Sequence, residues 1–317
     1  MTLGKKAVYF LCYNFENDSV APRIFDNSLK TFNLKETETI VDGYPVMEYI
    51  DSNGNLFSYV RTNKVISHDY EYYLPIMNEY FSDYDFGGVV NWHGGAKAPD
   101  KVLCLHTIGD VQSGYFAPTN PIYTTNLGHS LEKNRKELQL EEFRVTMEAT
   151  HWSGIISNGS PDKIVEYKVP LVDVEIGSTP ESWSNEKAVE VITLSLVEVF
   201  NNDRRFPTVL YVGGIHFEEP ITNAVFGQEY PVSATHILPS AWVVNGEYDN
   251  EEGYKKLEAC VNSIEGGIDG IVYQEKLKAP YRDQCKRIGE ELNVPVFKHK
   301  QLNNITQSPI IDLYKEN

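Results

Sequence analysis

Apolar strand-like runs alternate with helical segments along most of this 317-residue chain, and that alternation limits the fold more than any other feature. Strand-like runs fall at 7–13, 87–93, 101–105, 169–176, 208–212, 235–239, 268–273 and 294–298. Helical spacing appears at 19–32, 69–81, 131–143, 251–263 and 280–292. Ser178-Thr179-Pro180-Glu181 has the form of a capping box and is expected to open a further helix to about Asn201. Helices interleaved with strands must cover the faces of a sheet, which predicts an α/β three-layer αβα sandwich with a mixed, mostly parallel sheet. Turn signals at Asp42-Gly43 and at 51–55 predict hairpins over about 37–66, a modest N-terminal appendage. Residues 155–167 form a polar insertion, and residues 1–317 are read as one domain.

The chain carries 45 acidic and 28 basic residues, a net charge of −17, so a nucleic acid meets a repulsive average field and needs a local basic patch. One patch qualifies: Lys276, Lys278, Arg282, Lys286 and Arg287, followed by Lys298 and Lys300 and diluted by Glu290 and Glu291. A solvated helix face is its alternative reading. No DNA partner is expected. No apolar run approaches the eighteen or so residues of a membrane span, so no membrane partner is expected and the chain reads as cytoplasmic. Cys12, Cys104, Cys260 and Cys285 are too widely spaced for a zinc or redox pair and read as small core residues. The oligomeric state stays open.

Five of the eight histidines, His93, His106, His151, His216 and His236, occupy short Gly-, Thr- or Pro-flanked segments directly after strand-like runs. Segments at the carboxyl ends of strands are where side chains converge on a ligand in α/β proteins. Gly94-Gly95 and Gly213-Gly214 would let a substrate approach the backbone, and the long segment from 110 to 126 reads as a lid or binding loop. Imidazoles beside carboxylates serve as acids, bases or metal ligands. Glu148 and His151, three apart, point to one place if they share a helical turn, making half of a metal site that His93, His106 or His216 would complete. Glu175, at the end of an apolar strand, is either a functional acid or is tied to amides at the following helix start. The sequence lacks a Walker pattern, a dinucleotide fingerprint and a Gly-x-Ser-x-Gly elbow, which argues against nucleotide binding of those types and against the common serine hydrolase design.

These segments resemble the archaeal and plant type of D-aminoacyl-tRNA deacylase. Lys35-Glu36-Thr37 with Val41 to Val46 looks like the family's N-terminal hairpin, and His93 stands where the family has a histidine after a strand. His106-Thr107-Ile108-Gly109, Glu148-Ala149-Thr150-His151, Glu175-Ile176-Gly177-Ser178 with Trp183, Gly213-Gly214-Ile215-His216-Phe217 and His236-Ile237-Leu238-Pro239 follow in the family's order. Trp152 replaces a second histidine, and Ser240 replaces a lysine. The resemblance implies a fold akin to peptidyl-tRNA hydrolase and the phosphorylase-like proteins. It also implies hydrolysis of the ester between a D-amino acid and the tRNA 3′ adenosine, with zinc as a cofactor. It implies a site lined by His93, His106, Glu148, His151, His216 and His236 with Glu175 behind them. His106, Glu148 and His151 would be metal ligands or water activators, and the Gly213-Gly214 backbone with His216 the oxyanion donors. His236 would be a positioning group, and Gly94, Gly95 and Trp152 substrate contacts. A second reading keeps the scaffold and replaces tRNA by a small acyl or amide compound roofed by Trp152 and residues 110 to 126; a third is a non-catalytic binding protein whose histidines fail to converge.

Overall fold

The computed structural model describes residues 4–95, 98–227 and 229–314. In chain order the strands are β1 (Lys6–Cys12), β2 (Lys35–Val41), β3 (Tyr44–Ile50), β4 (Leu56–Thr62), β5 (Phe86–His93), β6 (Val102–Thr107), β7 (Gly109–Asp110), β8 (Tyr115–Phe116), β9 (Arg144–Met147), β10 (Leu171–Gly177), β11 (Thr208–Val212), β12 (Ser233–Leu238), β13 (Gly270–Tyr273) and β14 (Val296–Lys298). The helices are α1 (Ala21–Thr31), α2 (Tyr70–Phe81), α3 (Pro121–Glu137), α4 (Pro180–Trp183), α5 (Glu186–Leu196), α6 (Glu219–Phe226), α7 (Ser240–Asn245), α8 (Glu251–Asn262) and α9 (Ala279–Leu292). None of the described helices is long and apolar enough to cross a membrane.

Backbone contacts gather the chain into two compact units where the sequence suggests one domain. The first comprises 1–105, 126–145 and 153–202, and the second 106–125, 146–152 and 203–317. Each is assembled from three separate segments, so no linker or composition shift marks a boundary.

The first unit holds the larger sheet, in the order β2-β3-β4-β1-β5-β10-β6-β9. β1 pairs in parallel with β4 and β5, and β5 with β10, whereas β2-β3 and β3-β4 are antiparallel. The sheet is therefore mixed, as expected. The 37–66 hairpins are not an appendage, because β4 pairs directly with β1 and makes them the edge of the sheet. Successive side chains of β1 point to opposite faces. The Tyr9 hydroxyl donates to the Leu196 carbonyl of α5, and Phe10 meets Phe81 of α2 edge-on at 5.6 Å. Helices thus cover both faces, giving the three layers.

Two helix expectations change. α3 begins at Pro121, ten residues before its expected start, where Asn120 Oδ1 accepts from the amides of Ile122 and Tyr123. Its first turns bury Thr124, Thr125 and Asn126, so apolar periodicity does not reveal them. The helix expected from Ser178 to Asn201 is two helices. Thr179 caps α4 and Asn185 caps α5, accepting from Ala188 N at 3.0 Å. The polar insertion folds as two 3-10 turns, Ser153–Ser157 and Pro161–Glu166, anchored by buried Ile164 and Tyr167.

The second unit is built on the parallel sheet β12-β11-β13-β14. The chain runs from β11 to β12 on one side and then to β13 on the other, a topological switch beside the carboxyl end of β11. Its core joins Leu210, Val212, Leu238 and Ile271 of the strands to Leu257 and Cys260 of α8 and Cys285 and Ile288 of α9. All four cysteines are buried and unbridged. The 110–126 segment is no lid. Val111 and Phe116 are part of this core, Tyr248 Oη donates to the Val111 carbonyl, and Thr119 pairs with Ile264.

Candidate active site

Glu148 to His151 forms an irregular extended run, not the helical turn that the three-residue spacing suggests. Its backbone is held from both sides. Ala149 N donates to His216 O, Thr150 N to Ile237 O, and His151 O accepts from Gly109 N. These bonds tie the run to the loop after β11, to β12 and to the chain beyond β6, all within the second unit.

The side chains converge by that route. His216 Nε2 lies 2.5 Å from Glu148 Oε1, and His151 Nε2 lies 4.0 Å from the same oxygen. One ligand atom from each of the three residues falls within 4.8 Å of the others. Glu148 is 1 % exposed, whereas the side chains of His151 and His216 are 25 % and 37 % exposed, so the carboxylate is deep and the imidazoles face outward. The Ala149 carbonyl, 2.8 Å from His151 Nδ1, can only accept a hydrogen bond, so Nδ1 carries the hydrogen and Nε2 is the basic nitrogen. Desolvation, followed by the neighbouring His106, pushes the His151 imidazole down to about 3 and keeps it neutral. A neutral ring with its outer nitrogen bonded to a carbonyl is the ligand form of histidine.

His106 stacks on His151 with ring centres 3.8 Å apart, its Nδ1 3.1 Å from the Thr107 carbonyl. It supports the ring of His151, and the third member of the tight group is His216, where the sequence reading has His106. Trp242 of α7 closes the apolar side, 5.4 Å from the His216 ring and 6.2 Å from that of His151. No linear spacing connects Trp242 to the histidines; its only signal is an aromatic just beyond His236-Ile237-Leu238-Pro239.

The loop carrying His216 requires both glycines. Gly213 and Gly214 have φ of +109° and +79°, and added Cβ atoms would lie 2.7 Å from Gln274 Cβ and 2.1 Å from Glu218 Oε1. The expected oxyanion role of this backbone is not supported, because its amides are engaged. Gly213 N donates to Leu238 O, Gly214 N to Ser240 Oγ at 2.9 Å, and Ile215 N to Glu218 Oε1 at 2.7 Å.

His236 lies inside β12, fully buried. Ser263 Oγ donates to the Cys260 carbonyl and so accepts from His236 Nε2 at 2.9 Å, while Nδ1 faces the hydroxyls of Thr107 at 2.9 Å and Thr150 at 3.1 Å. Burial pushes this imidazole down to about 3. Trp152 is 4 % exposed and belongs to the same unit.

The remaining expected residues belong to the first unit. His93 ends β5, its Nδ1 2.8 Å from Ser178 Oγ, and its carbonyl accepts from Trp183 Nε1. Gly94 and Gly95 follow it on the exposed side. Glu175 is 6 % exposed in β10, opposite Asn91 in register. The amides at the following helix start find other acceptors: Ser178 N donates to Asp100 Oδ1 and Ser182 N to Thr179 Oγ1. The Ser182 hydroxyl, with the Ser178 and Lys101 amides, holds the Asp100 carboxyl down at about 2.

Known proteins share the sequence and the fold of this chain. A relative described as D-aminoacyl-tRNA deacylase from Pyrococcus horikoshii is 24 % identical over 289 residues, covering 89 % of this chain and 96 % of its own. One of the same description from Caldivirga maquilingensis is 30 % identical over 220 residues, 64 % of this chain and 72 % of its own. The crystal structure of a conserved protein of unknown function shares the fold with a TM-score of 0.72 at 19 % identity, covering 94 % of this chain and 96 % of its own. Residues 80–297, more than half the chain and the span holding every site residue above, match the family described as D-aminoacyl-tRNA deacylase, and the chain belongs to that family.

Proposed function

We propose that this protein hydrolyses the ester linking a D-amino acid to the 3′ end of tRNA, with Glu148, His151 and His216 holding a zinc-type divalent ion. The observation that carries the reading is the convergence of these three groups within 4.8 Å, with the outer nitrogen of His151 on the Ala149 carbonyl. One carboxylate and two imidazoles form a ligand set of catalytic zinc sites. Such an ion would supply Lewis acidity at the ester carbonyl and its attacking water. With its conjugate acid near 3, the His151 ring is a weak base at neutral pH and suits the ligand role better than proton abstraction.

The chain's own residues do the rest. Glu148 orients His216 through Nε2 and balances positive charge from a nearly dry position. His106 and the Ala149 carbonyl fix the His151 ring. Trp242 limits the access of water from its side. Convergence of the histidines favours an enzyme over a non-catalytic binder, and an aminoacyl-tRNA substrate is compatible with work in the cytoplasm.

The test is release of amino acid from D-Tyr-tRNA by purified protein before and after chelation, with L-Tyr-tRNA and His216→Ala as controls. D-selective release that falls on chelation, returns with zinc and is lost in His216→Ala is expected. Release that survives chelation would remove the metal from the reading. Activity confined to small acyl or amide compounds would remove tRNA.

A further inference from the structure

The basic patch near the C-terminus remains outside the site, and the fold gives it a place. β11, β13 and β14 are parallel, so their carboxyl ends share one edge of the second unit's sheet. β11 ends in the Gly213 to His216 loop, β13 in residues 274–282, and β14 in 298–301. Adjacency is direct. Gln274 N donates to Val212 O at 2.9 Å, and the Gly213 Cα faces Gln274 so closely that a Cβ would lie 2.7 Å from its side chain. With strands about 4.8 Å apart, the three ends span on the order of 10 Å.

In a chain of net charge −17, segments 274–282 and 298–301 contain five cations, Lys276, Lys278, Arg282, Lys298 and Lys300, and one carboxylate, Glu275. Glu275 is held by Lys300 at 2.6 Å and Lys298 at 3.5 Å. Lys276 and Lys278 are exposed, and among the described residues neither has a carboxylate partner. Arg282 reaches the Glu275 carbonyl at 3.5 Å. Four other cations of this unit are matched by carboxylates, Arg205 with Asp269, Lys255 with Glu252, Lys286 with Asp283 and Arg287 with Glu251, whereas Lys256 donates to the Gln112 and Gly246 carbonyls. Of the two carboxylates that follow the β11 loop, Glu218 is turned inward to Ile215 N and Tyr211 Oη, and Glu219 is exposed at the start of α6.

We infer that Lys276, Lys278 and Arg282 form a cationic rail that binds the phosphodiester backbone of a single-stranded RNA end and leads its terminal nucleotide to the Glu148–His151–His216 site. The inference rests on the proposed function for the identity of the reacting end. Binding of RNA, however, can be measured without any hydrolysis. Neutralising three phosphates contributes a slope of about −2 to log K against log salt for a single strand, equivalent to roughly 100-fold in affinity at 0.1 M salt.

The experiment compares the full chain with a Lys276→Ala/Lys278→Ala/Arg282→Ala variant. It measures fluorescence anisotropy with uncharged tRNA and with a single-stranded oligoribonucleotide of its 3′ end from 0.05 to 0.3 M salt, alongside hydrolysis of D-tyrosyl-adenosine, which has no phosphodiester. The variant is expected to bind both RNAs on the order of 100-fold more weakly at 0.1 M salt with a slope flatter by about 2, and to hydrolyse the phosphate-free ester at the wild-type rate. Replacing the three positions with Arg, Arg and Lys should restore binding. Unchanged affinity and slope overturn the rail, as does equal loss on the phosphate-free ester. If neither protein hydrolyses any ester, the proposed reaction fails while the binding comparison still decides the rail.

Discussion

Two histidine clusters lie within the second unit, adjoined through Thr150 and His151, and they handle the same side chain in opposite ways. In the first, His151 and His216 converge on the Glu148 carboxylate and remain partly exposed, with the second nitrogen of His151 held by a carbonyl. In the second, His236 is fully buried and both of its nitrogens meet hydroxyls, of Thr107, Thr150 and Ser263. Burial drives the rings of both His151 and His236 to about 3, so a depressed basicity does not tell the clusters apart. The partners do. A ring facing a carboxylate and solvent retains a nitrogen for a ligand, whereas a ring closed on both sides by hydroxyls is fixed in place. On the proposed function, chemistry belongs to the first cluster and rigidity to the second.

Glu148→Gln gives the strongest way to break that contrast. The substitution keeps the volume and one acceptor while removing the charge that His151 and His216 share. Deacylation of D-Tyr-tRNA should fall by about 10²–10⁴-fold with little change in the unfolding midpoint. A fall in stability with retained turnover would reverse the assignment of the clusters.

His236→Ala should do the converse. It opens a cavity and leaves the Thr107, Thr150 and Ser263 hydroxyls facing it, at a cost of about 2–4 kcal/mol in denaturant unfolding. Turnover of the folded fraction at low temperature should remain within about tenfold of wild type. Near-complete loss of activity in soundly folded His236→Ala protein would move this residue into the reaction.

The pH dependence of stability sharpens the same point by a smaller effect. A buried neutral histidine binds its proton near 3 when folded and near 6.5 when unfolded, so the unfolded chain takes up the extra proton between those values. Its contribution is present above pH 6.5 and is lost as pH falls from there toward 3. The rate is about 1.4 kcal/mol per pH unit for each such group. His236→Gln should flatten the wild-type curve by one proton between pH 4 and 6, read from urea midpoints at each pH. An unaltered slope would mean that His236 is protonated in the fold.

Much of this was legible in the sequence, for a physical reason. Strands such as β1, β5 and β10 are buried on both faces and read as continuous apolar runs, and the five histidines mark the ends of such runs or lie within them. Glu148 and His151 do lie side by side, but for a cause that the spacing does not show. The run is held extended by amides of its own bonded to His216 and Ile237, residues 65 and more positions away. Local spacing cannot report such partners. For the same reason Ser178 looked like a helix cap but bonds to His93 and the Pro99 carbonyl, and α3 lost its first turns to buried threonines. Trp242 and Ser263 were silent because what makes them part of the two clusters is tertiary contact alone.

Ser240 offers the finest cut between the clusters, since it follows the strand carrying His236 and braces the loop carrying His216. Its hydroxyl accepts from Gly214 N at 2.9 Å, and its own amide donates to Gly214 O at 3.1 Å. Ser240→Ala removes the first bond and keeps the second, so the loop stays joined to residue 240 through the backbone and keeps its bonds to Leu238, Glu218 and Ala149. The expected cost is about 1 kcal/mol, a fall of roughly 2 °C in thermal midpoint for a chain of this size. Turnover should decline less than tenfold, because Glu148 still holds His216. A loss of 100-fold or more with the midpoint unchanged would show that the hydroxyl, and not the carboxylate, sets the position of His216. The rigid and the reactive cluster would then be a single device joined at residue 240.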